Sequence, residues 1–244
     1  MKEIAVIFED EYLVAIDKPS GITVNRSENE KGETVQDFAE KKIFNIQQPI
    51  SNKIGSDFIN RAGIVHRLDK ETSGLLLIAK DEDSFLNLQK QFQERVTKKC
   101  YLAFVHGKID SSSFEINQPV GRLPWNRRKF GVISGGREAV TKVKVMDYYR
   151  DRENNLYTFI EVTPLTGRTH QIRIHLKHMQ HPILSDRLYA GRKQYRNDIK
   201  YCPRLFLHAQ KLEFIHPKNR KTVKLESKLA SDLILVLSRF DKIQ

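Results

Sequence analysis

Apolar residues in this chain cluster in runs of strand length. The longest compact run, Gly74–Ala79, is short and ends at Lys80. A membrane helix needs about 20 consecutive apolar residues, so the sequence predicts no membrane span. Segments 101–105, 139–146 and 156–162 have the same length and are rich in β-branched or aromatic residues, which favours strands.

Helical patterns are fewer and do not alternate regularly with the strands. Apolar spacing predicts one helix beginning near Thr34, a second capped by Asp81 or Asp83 and another over 169–179, and Ser231 is expected to cap a last helix. Without βαβ alternation, the pattern predicts an α+β fold. We expect one domain over residues 1–244, with a large mixed, mainly antiparallel central sheet flanked by helices and loops.

Positive charge is concentrated in the later part of the chain. Residues 1–65 carry a net charge of −3, whereas residues 66–244 carry +15. Between Arg168 and Lys211 there are 10 basic residues against Asp186 and Asp198. Lys and Arg gain affinity for nucleic acids by displacing counterions from phosphates, so this asymmetry favours a polyanionic partner over a merely soluble basic surface.

The two cysteines, Cys100 and Cys202, have no zinc-finger or disulfide spacing. We therefore expect two free thiols in a reducing cytoplasm. Because no long apolar stripe is left after the core helices are assigned, we expect a monomer.

The densest group of chemically useful residues lies at 65–80. Asp69 follows an apolar strand start, where a loop can present its carboxylate to a cleft. Thr72, Ser73 and Gly74 then provide a tight turn ahead of a buried strand. The local pattern is equally consistent with Asp69 only capping this turn.

A second group begins at Gly167, where the chain is expected to enter a helix abruptly. Arg168 and Arg173 could supply fixed positive charge near that helix start, although a solvated basic helix face fits the local pattern as well. His170 and the three histidines that follow it are spaced by five, three and three residues, without a nearby cluster of carboxylates or cysteines. This spacing does not favour a metal site.

A third group lies on a predicted strand. Tyr101 could be a core tyrosine with a satisfied hydroxyl, or a pocket wall on which a base stacks. The basic and aromatic stretch Arg127, Arg128, Lys129 and Phe130 could contact an RNA backbone, although such charge runs are usually only solvated.

Together these segments closely resemble the RluA family of RNA pseudouridine synthases. The resemblance follows the family's order over nearly the whole chain, and its motifs are Leu13–Gly21, His66–Lys80, Lys99–Gly107, Gly167–Leu176, His181–Ile183 and Leu207–Pro217. It implies the pseudouridine synthase fold and the isomerisation of specific uridines in structured RNA, ribosomal or transfer, with no metal or organic cofactor.

The resemblance also implies roles for individual residues. It makes Asp69 the catalytic carboxylate, Arg173 the arginine that pairs with it, and Tyr101 the tyrosine against the target base. Arg67 matches a residue that helps fill the space left by a flipped nucleotide, and Ile172 and Leu176 match positions near the pocket wall.

From the resemblance we expect the chain to begin at the catalytic domain, without the small N-terminal RNA-binding module that some relatives carry. We therefore expect RNA recognition by a basic face over 122–144 and 168–211, with Arg127, Arg128, Lys129, Arg168 and His170 as the named candidates.

Two other functions are weighed against the isomerase. A non-catalytic RNA-binding protein could keep the fold, but the joint presence of Asp69, Tyr101 and Arg173 argues against it. A metal-dependent nuclease would need clustered carboxylates or suitably spaced histidines, which the sequence does not offer.

Overall fold

The structure, a computed structural model, describes residues 3–27, 32–44, 57–124 and 126–243, and of Arg127 and Arg128 it describes the backbone alone. The described residues form strands β1 (Ala5–Glu9), β2 (Leu13–Lys18), β3 (Ser73–Ala79), β4 (Lys98–His106), β5 (Ser113–Asn117), β6 (Val120–Leu123), β7 (Asn126–Val132), β8 (Val140–Arg150), β9 (Leu156–Pro164), β10 (Leu207–Ile215), β11 (Thr222–Glu226) and β12 (Asp241–Ile243). The helices are α1 (Val35–Phe38), α2 (Asp57–Asn60), α3 (Glu82–Gln93), α4 (Gln171–His178), α5 (Arg192–Asp198) and α6 (Ser231–Leu237), and a π-helical segment, Ala39–Ile43, follows α1.

The chain forms two compact units, each built from separate segments. The first unit contains residues 1–98 and 209–228, and the second contains residues 99–208 and 229–244. The expected single domain over 1–244 stays a prediction.

The first unit is built on strands in the order β1, β2, β3, β10 and β11. Its strands β1–β2, β2–β3 and β10–β11 pair antiparallel. Strand β3 is buried along its whole length. Its side chains Leu75 and Leu77 share a core with Phe85 and Leu88 of α3 and with Leu212 of β10. This core fixes the position of the turn that leads into β3.

The second unit contains strands in the order β4, β9, β8 and β12, and β5 also pairs with β8. The recorded pairings are antiparallel. A separate hairpin is made by β6 and β7. Phe104 of β4, Ile160 of β9 and Leu176 of α4 share one core with Phe206 and Leu233. The core thus attaches α4 to the sheet of this unit.

These elements confirm the predicted α+β class and the mainly antiparallel pairing. The predicted helix starts are confirmed where Thr34 and Asp81 accept hydrogen bonds from the first turns of α1 and α3. The prediction that Ser231 caps the last helix was wrong, since Ser231 is the first helical residue and Ala230 precedes it. In this helix Leu233 and Val236 are buried, whereas Ile234 is 53% exposed.

Candidate functional site

Asp69 lies in a turn of the first unit, directly before β3. The Thr72 amide donates to the Asp69 carbonyl over 3.1 Å, which closes the turn. Leu68 and Thr72 are buried on either side, whereas the Asp69 side chain is only half-buried. The backbone of the turn is therefore anchored while its carboxylate stays accessible.

Gly74 lets β3 approach the neighbouring strand closely. Its φ is +113°, and a Cβ at this position would lie 2.3 Å from the Ala209 carbonyl oxygen. Only glycine tolerates both the backbone conformation and this contact. Gly74, the last residue of the predicted turn, is therefore required by the close pairing at the start of β3.

A buried lysine holds the residues that follow Asp69. Lys18 is 0% exposed, and its ammonium donates to the carbonyls of Pro19, Ile22 and Lys70 over 3.0, 2.9 and 3.2 Å. The Gly21 amide donates to the same Lys70 carbonyl over 2.7 Å. A buried ammonium is tolerated only when hydrogen-bonded, so this cage fixes the turn at the residue after Asp69.

Two further contacts stiffen this loop. Ser20 Oγ donates to the Glu71 carbonyl over 2.6 Å. His66 accepts a hydrogen bond at Nε2 from the Leu77 amide over 3.0 Å and stacks on Phe92, with ring centroids 4.4 Å apart. Arg67, between His66 and Leu68, is exposed.

Arg173 of α4, in the second unit, is almost fully buried and held by Asp186. Its Nε and Nη2 atoms donate to the two oxygens of Asp186, each over 2.8 Å, and the exposed fractions are 2% and 0%. The guanidinium also lies over the Tyr189 ring, 5.2 Å from its centroid. A bidentate pair sets the plane of the guanidinium as well as its position.

The loop that carries Asp186 is itself ordered by that carboxylate. Asp186 Oδ1 accepts from the amides of Leu188 and Tyr189 over 2.9 and 3.1 Å. The sequence analysis did not name Asp186 as a partner of Arg173, and the pairing of Arg173 with Asp69 stays a prediction. A signal was available, because Asp186 is one of two acids among ten basic residues.

The start of α4 is fixed to β8 by Gln171. Its amide nitrogen donates to the Val140 carbonyl and Thr141 Oγ1, each over 2.9 Å, and its oxygen accepts from Thr166 Oγ1 and the Arg168 amide. Together these bonds leave α4 little freedom to rotate.

His175, one helical turn further along α4, is buried against the same strand. Its ring nitrogens lie 2.9 Å from Thr141 Oγ1 and 2.9 Å from the Gln118 carbonyl. Burial lowers the pKa of His175 despite the hydrogen bond to Gln118. This histidine packs the helix in its neutral form.

The other residues that were expected to line a pocket for the target base differ in how deeply they are buried. Tyr101 of β4 is half-buried and opposite Val162 of β9. Ile172 and Leu176 belong to the core, with Leu176 0% exposed. Burial lowers the pKa of the neighbouring Lys99 ammonium.

The predicted RNA-binding residues are partly engaged in internal contacts. Arg168 Nε donates to the Glu138 carbonyl over 3.0 Å, and His170 Nδ1 lies 2.9 Å from the Tyr189 hydroxyl. His170 precedes α4 with a φ of +55°. Lys129 of β7 is exposed. The side chains of Arg127 and Arg128 lie outside what the structure describes.

The described side chains contain no group of three or more His, Cys, Asp or Glu residues that could hold a metal ion. Within the same residues, no helix combines the length and apolar character that crossing a bilayer requires.

The sequence profile described as RNA pseudouridylate synthase matches residues 12–178. The chain is 34% identical to the ribosomal large subunit pseudouridine synthase D of Pseudomonas aeruginosa, covering 97% of this chain and 71% of that protein. It is 36% identical to an RNA pseudouridine synthase of Synechocystis, covering 87% of this chain and 61% of the relative.

The chain spans between 60% and 71% of the length of such curated relatives. A solved structure of human RNA pseudouridylate synthase domain containing 1 aligns with a TM-score of 0.75 at 22% identity, covering 100% of this chain and 90% of the human one. That likeness shows a shared fold.

Proposed function

The chain belongs to the RNA pseudouridylate synthase family, and we propose that it isomerises uridines in structured RNA to pseudouridine through the Asp69 carboxylate. The observation that carries the proposal is that the family match spans Asp69, Tyr101 and Arg173 together. The anchored turn beneath Asp69 supports it, because an accessible carboxylate on a fixed backbone is what a nucleophile or base requires.

The reaction breaks the N1–C1′ bond of the uridine and forms a C5–C1′ bond, while the hydrogen at C5 leaves as a proton and N1 gains a proton. An ionised Asp69 carboxylate can attack C1′, or it can remove the C2′ proton, and both routes require the same charged group. The detached uracil must turn without escaping, so the pocket has to exclude water.

We assign Arg173 to favouring the ionised form of Asp69 and to binding the substrate, and the bidentate bond to Asp186 supports a fixed role for its guanidinium. Tyr101 is assigned to stacking on the target base, which offsets part of the cost of extruding the nucleotide. Arg67 is assigned to the space that the nucleotide leaves, and Ile172 and Leu176 to the apolar support of the pocket.

We propose that the RNA backbone is bound by Arg127, Arg128, Lys129, Arg168 and His170. For the substrate we favour RNA of the large ribosomal subunit over transfer RNA, since the relatives from Pseudomonas aeruginosa and Nitrosomonas europaea are named for that subunit. We further propose that residues 1–244 act as one catalytic domain, as a cytoplasmic monomer without a metal.

The test is tritium release from unmodified transcripts labelled at uridine C5, with large-subunit ribosomal RNA and transfer RNA assayed separately. We expect release from the ribosomal transcript, at the same rate with and without a chelator. Release from transfer RNA alone would overturn the substrate assignment. Tight binding of both RNAs without release would favour the non-catalytic RNA-binding alternative.

A further inference from the structure

A short segment of the second unit, residues 187–200, presents only cations among its charged exposed side chains. It contains α5 and the residues that flank it, and we refer to it as the α5 surface. Its exposed basic residues are Arg187, Arg192, Lys193, Arg196 and Lys200. Within the part of the chain that the structure describes, none of the five takes part in an ion pair.

The two acids at this place in the sequence do not offset those charges at the surface. Asp186 is 0% exposed and is occupied by Arg173. Asp198 is 1% exposed, and its carboxylate lies 3.0 Å from His106 Nε2 and accepts from the Ser185 amide over 2.9 Å. Both carboxylates therefore serve the interior, and the α5 surface keeps its positive charge.

The α5 surface also contains a shallow depression. This depression, of about 450 Å³, is lined by Ala190, Gly191, Arg192, Lys193, Gln194 and Asn197. Arg192 and Arg196 are four residues apart on α5 and so project from the same side of the helix. The amides of Gln194 and Asn197 add hydrogen-bonding groups beside the cations.

We propose that the α5 surface binds the sugar–phosphate backbone of RNA. The choice of RNA rests on the proposed function, and the uncompensated charge supports it independently. Phosphate contacts position a nucleic acid without reading its sequence, and they make affinity strongly dependent on salt. The α5 surface would thus supply affinity for RNA and fix the position of its backbone, whereas the pocket around Asp69 selects the uridine.

The test compares the triple variant Arg192→Ala/Lys193→Ala/Arg196→Ala with a control that removes the same charge. The control is Lys90→Ala/Lys218→Ala/Lys224→Ala, whose exposed lysines lie 3.8, 3.4 and 3.4 Å from Glu94, Asp83 and Glu213. Fluorescence anisotropy measures binding of a labelled RNA stem–loop that contains no uridine, over a series of salt concentrations. The single variant Arg196→Glu is measured in parallel, in case the triple variant folds poorly.

For the α5 variant we expect Kd to rise about tenfold and the slope of log affinity against log salt to fall by about 2 to 3. The control should bind as the unaltered protein does. Unchanged affinity and slope in the α5 variants, or equal losses in the control, would overturn the proposal. So would unaltered RNA binding combined with lost binding to anionic phospholipid vesicles.

Because the probe has no uridine, its binding is independent of isomerisation. A chain that binds through the α5 surface but releases no tritium would keep this inference and contradict the proposed function. A chain that releases tritium while the α5 variants bind RNA normally would keep the proposed function and contradict this inference.

Discussion

Each unit holds a buried cation, at or next to a predicted site residue. In the first unit it is Lys18, next to the Asp69 turn; in the second it is Arg173, which forms the Arg173 cluster with Asp186 and Tyr189. The two cations have different hydrogen-bond partners. Three neutral carbonyls accept hydrogen bonds from the Lys18 ammonium, whereas both oxygens of the Asp186 carboxylate accept from the Arg173 guanidinium. In the first unit the cation holds backbone in place. In the second unit other groups hold the cation in place.

Because of this difference, a substitution in each unit leaves a different kind of buried group without its partner. Removing Lys18 leaves neutral acceptors, one of which, the Lys70 carbonyl, still receives the Gly21 amide. Removing Asp186 leaves a guanidinium that is 2% exposed without its carboxylate. Since the loss of a buried carboxylate partner costs more than an unsatisfied carbonyl, the second unit is expected to be the more sensitive of the two.

The largest effect is expected for Asp186→Ala. Breaking this buried pair should lower the free energy of unfolding by about 3 to 5 kcal/mol, measured by urea denaturation. The control Asp232→Ala removes the half-exposed partner of Arg204 in the same unit. It should cost at most about 1 kcal/mol. Equal small losses in the two variants would contradict the account of the Arg173 cluster.

A smaller loss is expected for Lys18→Met in the first unit. The carbonyls left without a donor should lower the free energy of unfolding by about 1 to 3 kcal/mol, again measured in urea. Turnover should fall as well, because the turn after Asp69 loses its anchor. Lys80→Met is the matched control, since Lys80 is partly exposed and pairs with Glu9. A control as damaging as Lys18→Met would show that the cage has no special role.

The pH dependence of the unfolding free energy should reveal the buried, neutral His175 of the second unit. Burial lowers its pKa in the folded protein, so the unfolded chain binds the proton more readily. The stability from neutral His175 is therefore complete above the unfolded pKa of about 6.5 and is lost as pH falls below it. Urea midpoints from about pH 7.5 down to about pH 5.5 should fall less steeply in His175→Gln. Identical slopes in the two proteins would refute this assignment.

The smallest effect is expected for Tyr189→Phe. Tyr189→Phe removes the hydroxyl that lies against His170 and should cost about 0.5 to 1.5 kcal/mol of unfolding free energy. Tyr189→Leu also removes the ring beneath Arg173 and should cost roughly 0.5 to 2 kcal/mol more. If both variants unfold at the same urea concentration, the ring contributes nothing to holding Arg173.

Local patterns predicted the elements whose signals lie within a few residues. The helix starts at Thr34 and Asp81 and the strands β4, β8 and β9 were readable, because capping residues and apolar patterns are local signals. Strands β5, β6 and β7 and helix α5 were missed. They are short, and charged residues in β7 and α5 weaken their apolar periodicity.

The candidate site was predictable as residue types but not as contacts. The sequence singled out Asp69 and Arg173, yet it gave no sign that Lys18 is buried, and its only signal for Asp186 was an acid among many basic residues. The Lys18 ammonium meets the Lys70 carbonyl 52 positions away, and Asp186 reaches Arg173 across a loop. Such contacts depend on how the elements pack, which a single sequence does not display.

The most direct test of the account is single-turnover tritium release from the large-subunit ribosomal transcript by Asp69→Asn. Asp83→Asn is the matched control, because its carboxylate is exposed on α3. We predict that Asp69→Asn binds the transcript normally but releases no detectable tritium, while Asp83→Asn releases it at the unaltered rate. Release by Asp69→Asn at the unaltered rate would contradict the role of Asp69 and the mechanism built on it.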